Sequence, residues 1–517
     1  MKRFLCAMVI MATLLGGTIN IYGQNFPPVV TDISIGETNL PIMFINTLGN
    51  EINKDERVSA RMTIINNPDG VNYDDTIAHP NQHIDYEGYI GIKYRGNSSF
   101  TYSAKKPYSI KLLTDTYEND GGKRNEPLLG MGKDNEWCLL APYNDRSLIR
   151  NTLSFSLAEG YLEYVPKSRF CEMILDGTYY GVFCLTEMIR RGDDRLNIKK
   201  PGDSGDKLTG GYIIVVDRND EPLVHESKYH PTNSAGEVFT AQTIYVQYKD
   251  PSWDELTDVQ REYIDNRFDA MEDALASDNY QDATTGYRQY IDVTSFIDYQ
   301  LSTEICNNID GYRLSTYLYK YRDSVDPRFK MSIWDMDLGW GLAEYENIHT
   351  GHMTDVWTYK NNDAGLGTKM PFWFDRLMQD PQYVQELKDR YCIYRQGKYA
   401  DVPAVVDSLT NVLTVYGAAD RDHQAWPRWG EVLYNNYFLA NSYDEEIAYV
   451  KDYIVARIAW LDEQLGFNPN SILAHRHHQP SVPQSVYSVS GIRNSELQKG
   501  LNIVRYIDGT VKKIWRK

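Results

Sequence analysis

Short apolar or alternating runs dominate the first part of the chain, and longer runs of helical period dominate the second. Between residues 25 and 120, LPIMFINT, RMTII, YIGIKY and YSIKLL are separated by Gly, Asn and Asp clusters, which predicts short strands. Residues 145–159 (DRSLIRNTLSFSLAE) put Leu148, Leu153 and Leu157 near one face of a helix. FCEMIL and YGVFCLTE, joined by Asp176-Gly177, predict a hairpin, and GGYIIVVD (Gly210 to Asp217) another strand. After Pro251 the period changes. Ser252 and Glu255 form a capping box ahead of Leu256, Val259, Tyr263, Met271 and Leu275, and a second helix is expected from Asp292 to about Asn307. STYLYKY and FKMSIW flank the polar turn RDSVDPR, which predicts a second hairpin. Beyond Pro371 the pattern is helical again. Its clearest stretch runs from Ser442 to Leu465, with Ile447, Val450, Ile454, Ile458, Leu461 and Leu465 on one stripe and Gly466 as the stop.

A β-rich front half and a mainly helical back half give an α+β, bilobal expectation. Lys2 and Arg3 precede an apolar run from Phe4 to Leu15, too short to span a bilayer, so residues 1–23 read as a signal peptide with the mature chain starting near Gln24. No later run reaches about 18 apolar residues, so the mature protein is expected to lack a transmembrane segment. Residues 468–484 read as a polar linker. Residues 485–517 read as a tail of two or three small strands, resembling the short sorting tails of surface-directed proteins. The expected location is outside the cytoplasm: periplasmic, cell surface or secreted.

Composition narrows the function classes. Hydrophobic content of 42% and aromatic content of 13% describe a folded protein, and a net charge of −18 argues against a nucleic-acid partner. Six cysteines include no CxxC pair; Cys138, Cys171 and Cys184 sit in apolar strand-like runs and read as buried thiols.

The candidate chemistry lies in Asn307 to Gly341. Asp310 precedes the second hairpin, and Asp335 and Asp337 follow it, so antiparallel pairing brings the three acids to one edge. Three gathered carboxylates repel one another unless a proton or cation neutralises them, and oxygen-liganded Mg²⁺ or Mn²⁺ suits such a set. The tract HRHH (His475, His477, His478) lies in the linker without acidic or cysteine support. NPDGVNYDD lacks a calcium-loop frame, and no GxSxG, HExxH or Walker A motif occurs.

One acid before a hairpin and another after it is the order that phosphoryl transfer uses. The chain resembles the CotH (spore-coat protein H) kinase family of atypical, exported protein kinases. YRGNSS, KKPYSIKL, LLGMGKDNEWCLLAPYNDRSLIRN, YVPKSRF, DGTYYGVFCLTEMI, RLNIKK, GGYIIVVD, NNIDGYRLSTYLY, WDMDLGWG and PFWFDRLMQDPQY carry the likeness, in order, over roughly residues 40 to 400. The resemblance implies a kinase-like bilobal domain over residues 24–467, with its N-lobe about 30–220 and C-lobe about 221–467. It implies Asp310 as the catalytic acid, Asp335 and Asp337 as metal-holding acids, and ATP with Mg²⁺ or Mn²⁺. Arg95, Asn97 and Ser98 fall where a kinase keeps its phosphate-covering loop. Lys111, with Lys106 as competitor on the opposite strand face, falls where the phosphate-binding lysine stands, and Glu187 where the hinge begins. The sequence departs from ordinary kinases in having NNI rather than HRD before its acid and Ser315 where an Asn is expected. That leaves Asp337, Asn307 or Asn308 for a second metal. Two function classes follow: a kinase that phosphorylates hydroxyl side chains of exported or surface proteins, or a non-catalytic kinase-like module serving as surface adhesin or assembly factor.

Overall fold

The computed structural model describes residues 28–344, 350–364 and 367–468, and in the tail 483–488, 493–494, 497–506 and 511–516. The expected leader, residues 1–23, and the HRHH tract lie outside the described residues.

Seven strands close into a barrel: β1 (Ile42–Asn46), β2 (Val58–Ile65), β3 (Ile84–Tyr94), β4 (Tyr108–Leu113), β5 (Glu136–Leu140), β6 (Ser168–Leu175) and β7 (Thr178–Glu187). The order is β1-β2-β3-β4-β5-β7-β6, and β6 returns parallel to β1 to seal it. Alternation fills the interior with Ile90, Ile92, Ile110, Leu112, Trp137 and Leu139. The same alternation turns Lys93, Ser109 and Cys138, paired across β3, β4 and β5, to the outside. The Asp176-Gly177 turn joins β6 to β7 with both residues at positive φ (48° and 81°), as a tight two-residue hairpin requires.

A second, five-stranded antiparallel sheet combines β8 (Tyr212–Asp217), β9 (Val224–Glu226), β10 (Tyr245–Asp250), β11 (Thr316–Lys320) and β12 (Phe329–Ser332) in the order β9-β10-β8-β11-β12. Strand β8 thus pairs directly with the predicted hairpin strand β11, across the expected lobe boundary at residue 220.

The fold is mixed α+β, with a β-rich N-terminal half and helices mainly in the C-terminal half. The chief helices are α1 (Arg150–Ala158), α2 (Asp258–Ala276), α3 (Val293–Cys306), α4 (Pro381–Gln396), α5 (Val402–Thr414), α6 (Ala418–Ala425) and α7 (Tyr443–Leu465). Helix α7 starts and stops as its sequence predicts: the Ser442 side chain accepts from the Glu445 N–H, and Gly466 ends the helix at φ 71°. Two helix starts differ from expectation. Helix α1 begins at Arg150 rather than 145, because the Asp145 carboxylate accepts the Ser147 and Arg150 N–H groups and holds that segment as a turn. Helix α2 begins after Thr257, whose reciprocal capping box with Gln260 displaces the one expected at Ser252 and Glu255. Its buried stripe is accordingly Ile264, Phe268, Met271 and Leu275, and Val259 is exposed.

Helix α6 ties the barrel to the helices. The buried Asp422 carboxylate pairs with Lys105 and, at 2.6 Å, with Arg428, and accepts the Val182 N–H of β7 at 2.8 Å. Gly181 makes room for it: a Cβ there would stand 2.2 Å from Asp422 Oδ1. Arg421 adds an ion pair to Glu172 of β6 at 2.8 Å.

Cys138, Cys171, Cys184 and Cys306 are buried free thiols. The chain divides into two compact units between Phe467 and Asn468. In the second, the described residues form a four-stranded antiparallel sheet with Val486 and Val504 buried. No helix of the described residues is long and apolar enough to cross a membrane.

Candidate active site

Strands β11 and β12 pair antiparallel, with Tyr317 opposite Ser332, so the chain before β11 and the chain after β12 leave from the same end. Asp310, Asp335 and Asp337 consequently line one cavity of about 450 Å³. The backbone there is unusual. Of eleven non-glycine residues at positive φ among the described residues, five are Asn307, Tyr312, Ser315, Asp335 and Trp340. Each such conformation costs on the order of 1 kcal/mol and persists only where surroundings enforce it. Here the enforcement is visible. Asn308 Nδ2 donates to the Asp335 carbonyl at 3.1 Å, tying together the two acid-bearing segments, and Asn151 of α1 accepts the Met336 N–H at 2.7 Å. Asn307 is occupied too, donating to the Thr350 carbonyl at 2.7 Å and accepting from the Thr358 hydroxyl at 2.9 Å. Neither Asn307 nor Asn308 lines the cavity, so of the three alternatives for a second metal only Asp337 faces it.

The three acids differ in their partners. Asp310 is ion-paired with Arg313, whose Nε donates to the Ile309 carbonyl at 2.9 Å. Asp335 opens onto the cavity and Asp337 is half-buried, and neither carboxylate accepts a hydrogen bond from another described residue. Desolvation by the surrounding protein walls, and then repulsion from Asp310, pushes the Asp335 carboxyl up to about 6. Asp337 is raised well above the usual carboxylate range by the same desolvation and by Asp335. Under-neutralised, all-oxygen donors of this kind fit a hard divalent cation. Among the described residues, however, no three His, Cys, Asp or Glu side chains converge into a ready ion-binding group.

The opposite wall comes from the barrel. Arg95, Gly96, Asn97, Ser98 and Ser99 all line the cavity. Gly96 adopts φ 82°, and a Cβ there would meet Ser99 Oγ at 2.1 Å. Asn97 donates to Asp220 at 2.7 Å, bridging to the chain that follows β8. Arg95 donates to the Cys138 thiol and lies over the Trp334 ring, 5.3 Å from its centroid.

The remaining predicted residues are not brought to the cavity. Lys111 shares the outward face of Lys93, but two residue pairs farther along the strands, where it pairs with Glu136 at 2.9 Å. Lys106 donates to the Phe100 carbonyl, and burial lowers its pKa to about 8. Glu187 is buried against Arg195 at 2.9 Å and accepts the Gly132 and Lys167 N–H groups, each at 3.2 Å. It holds loops together behind β7.

Several lining residues went unnoticed in the sequence: Lys93, Asn144, Asp145, Asn151, Asp217 and Arg218. Two carried a signal. Lys93 is the cation on the polar side of YIGIKY, and Asp217 ends an apolar strand immediately before a turn, as Asp335 follows β12. Lys93 Nζ donates to the Asp55 carbonyl at 3.1 Å, and burial, then Arg57, lowers its pKa.

The sequence matches the family model described as CotH kinase protein over residues 92–461, a span that begins in β3 and ends in α7 and so takes in nearly the whole cavity. No curated protein matches the chain.

Proposed function

The chain belongs to the CotH kinase family, and from that premise we propose that it transfers the γ-phosphoryl group of ATP to hydroxyl side chains of exported or surface proteins, within a kinase-like bilobal domain. The observation that carries this reading is the single cavity into which Asp310, Asp335, Asp337 and Arg95 all project, acids on one wall and a cation on the other. Asp310 orients the acceptor hydroxyl and takes its proton as the oxygen attacks phosphorus; the new O–P bond forms while the bond from the γ-phosphorus to the ADP oxygen breaks. Arg313 fixes the Asp310 carboxylate for that task. Asp335 and Asp337 would hold Mg²⁺ or Mn²⁺, which would supply charge to neutralise the phosphates. Arg95 and Lys93 would meet the phosphates, and Asn97 and Ser98 belong to the loop that would cover them. Lys93 suits this role better than Lys111, whose charge is already answered by Glu136. Export rests on the leader-like residues 1–23.

Replacing Asp310 by Asn is expected to leave Mg-ATP binding intact and to lower transfer by roughly 10²–10⁴-fold, the usual range for a general base. Labelled ATP with an extracellular extract, beside a nucleotide thermal shift, measures both. Unimpaired transfer would sink the mechanism. The absence of a converged ion-binding group among the described residues favours the second reading, a non-catalytic binding module. That reading gains if ATP with Mn²⁺ produces no thermal shift at all.

A further inference from the structure

A second pocket, of about 230 Å³, adjoins the cavity, and Asp217 and Arg218 line both. Its lining includes three cations, Arg218, Arg313 and Lys369, and one acid, Asp217. In a chain of net charge −18 that balance is unusual. The acid is already engaged: its carboxylate accepts the Arg218 N–H at 2.9 Å and the Ser315 N–H at 3.3 Å. Arg313 and Lys369 are buried, 6% and 7% exposed, so their charges stand where water does little to screen them. Lys369 Nζ spends one hydrogen bond on the Asn362 carbonyl at 3.0 Å and lies 4.3 Å from the centroid of the Phe239 ring. Burial lowers its pKa, and Arg313 pushes the same way, against Asp363 and Glu237. Those two acids have their own partners, the Ser234 N–H and hydroxyl for Asp363 and the Asn233 amide for Glu237.

Arg313 joins the pocket to the chemistry. Its Nη2 is on the Asp310 carboxylate and its Nε on a carbonyl, while Nη1 makes no hydrogen bond to a described residue. Given the proposed kinase reading, we propose that this pocket holds an anionic side chain of the acceptor protein, a carboxylate or a phosphate, and so selects hydroxyls with an acidic neighbour. A guanidinium bridging Asp310 and the anion places that neighbour within about two residues of the acceptor, at 3.3–3.6 Å per extended residue.

Three fluorescent peptides test this, identical except for Gln, Glu or phosphoserine two residues on either side of a serine. Their binding to the full chain is followed by anisotropy. The Glu or the phosphoserine peptide should bind at least tenfold tighter than the Gln peptide, and which of them leads identifies the anion. Two variants remove the preference without touching the main cavity. Lys369→Gln deletes one cation, and Ala241→Glu places a competing carboxylate at an exposed lining position. Both should cut the preference to under threefold while the ATP–Mn²⁺ thermal shift stays as in the unaltered chain. Equal binding of the three peptides, or a preference undiminished in a folded Ala241→Glu protein, overturns the proposal. A preference that persists in a chain showing no nucleotide shift would fell the kinase reading and leave the pocket standing.

Discussion

Two acidic centres of this protein handle negative charge in opposite ways, one buried and one open to a cavity. At the Lys105–Asp422–Arg428 brace, burial alone would raise the carboxyl, but two buried cations outweigh it and pull it down to about 2. At the cavity, desolvation is joined by a neighbouring acid, Asp310, and together they outweigh Arg95, so Asp335 rises to about 6. The brace spends its charges on holding α6 against the barrel. The cavity pairs Asp310 with Arg313 but leaves Asp335 and Asp337 without a cation of their own among the described residues, an arrangement typical of functional sites. An acid whose partners are all protein has finished its work on folding; one without partners is available to a ligand.

The largest expected effect breaks the brace. Asp422→Asn strands Lys105 and Arg428 in the interior, and urea unfolding should show a loss of about 3–5 kcal/mol. A change below 1 kcal/mol would mean that the brace is not structural. Next comes a contrast between two lysines on the outer face of neighbouring strands β3 and β4. Lys93→Ala should weaken ATP binding by about 1.5–3 kcal/mol, a charge-assisted contact, whereas Lys111→Ala should leave it unchanged. The reverse ranking would return the phosphate role to Lys111. Smaller still, Asp335→Asn should leave the stability of chelator-treated protein within about 0.5 kcal/mol or raise it, yet abolish metal-dependent nucleotide binding. Destabilisation on the scale of Asp422→Asn would erase the distinction between the two centres.

The pH dependence sharpens the contrast, because the signs differ. Asp422 has a depressed pKa, so its contribution is complete above the ordinary carboxylate range and is lost as pH falls from about 4 toward 2. Asp335 has a raised pKa, so the folded chain binds its proton more tightly than the unfolded one does. Its penalty is absent below about pH 4 and complete above about 6. The stabilisation by Mn²⁺, read as a thermal shift, should therefore grow between pH 5 and 7. A flat profile would count against Asp335 as a ligand.

What could be read from the sequence was whatever local chemistry decides. The Asp176-Gly177 turn, the Ser442 cap and the Asp310–hairpin–Asp335 order all rest on residues close together in the chain, and all three stand in the fold. Where two local signals competed, the sequence could not arbitrate: Thr257 with Gln260 and Ser252 with Glu255 both fit the capping-box pattern, and only the former makes the reciprocal bonds, at the start of α2. Alternation put Lys111 on the outward face with Lys93, but alternation says nothing about which end of a strand overhangs a cavity. Lys105 and Asp422 stand far apart in sequence with no pattern to link them, so neither the brace nor its separation from the functional acids was visible there.

The parallel return of β6 to β1 has a consequence for when this chain can fold. Ile42 pairs early with Ile65 but finds its second barrel partner only at Glu172, Tyr212 pairs with Lys320, and Lys105 waits for Asp422. Contacts of such long sequence separation must close large loops before they bring any reward, so structure of this kind forms slowly and late. Until residue 175 is available the first three strands have no closed barrel to join, and until α6 is available the barrel has no anchor to the helices. A polypeptide wired this way completes neither its barrel nor its second sheet until chain well beyond their first strands is available.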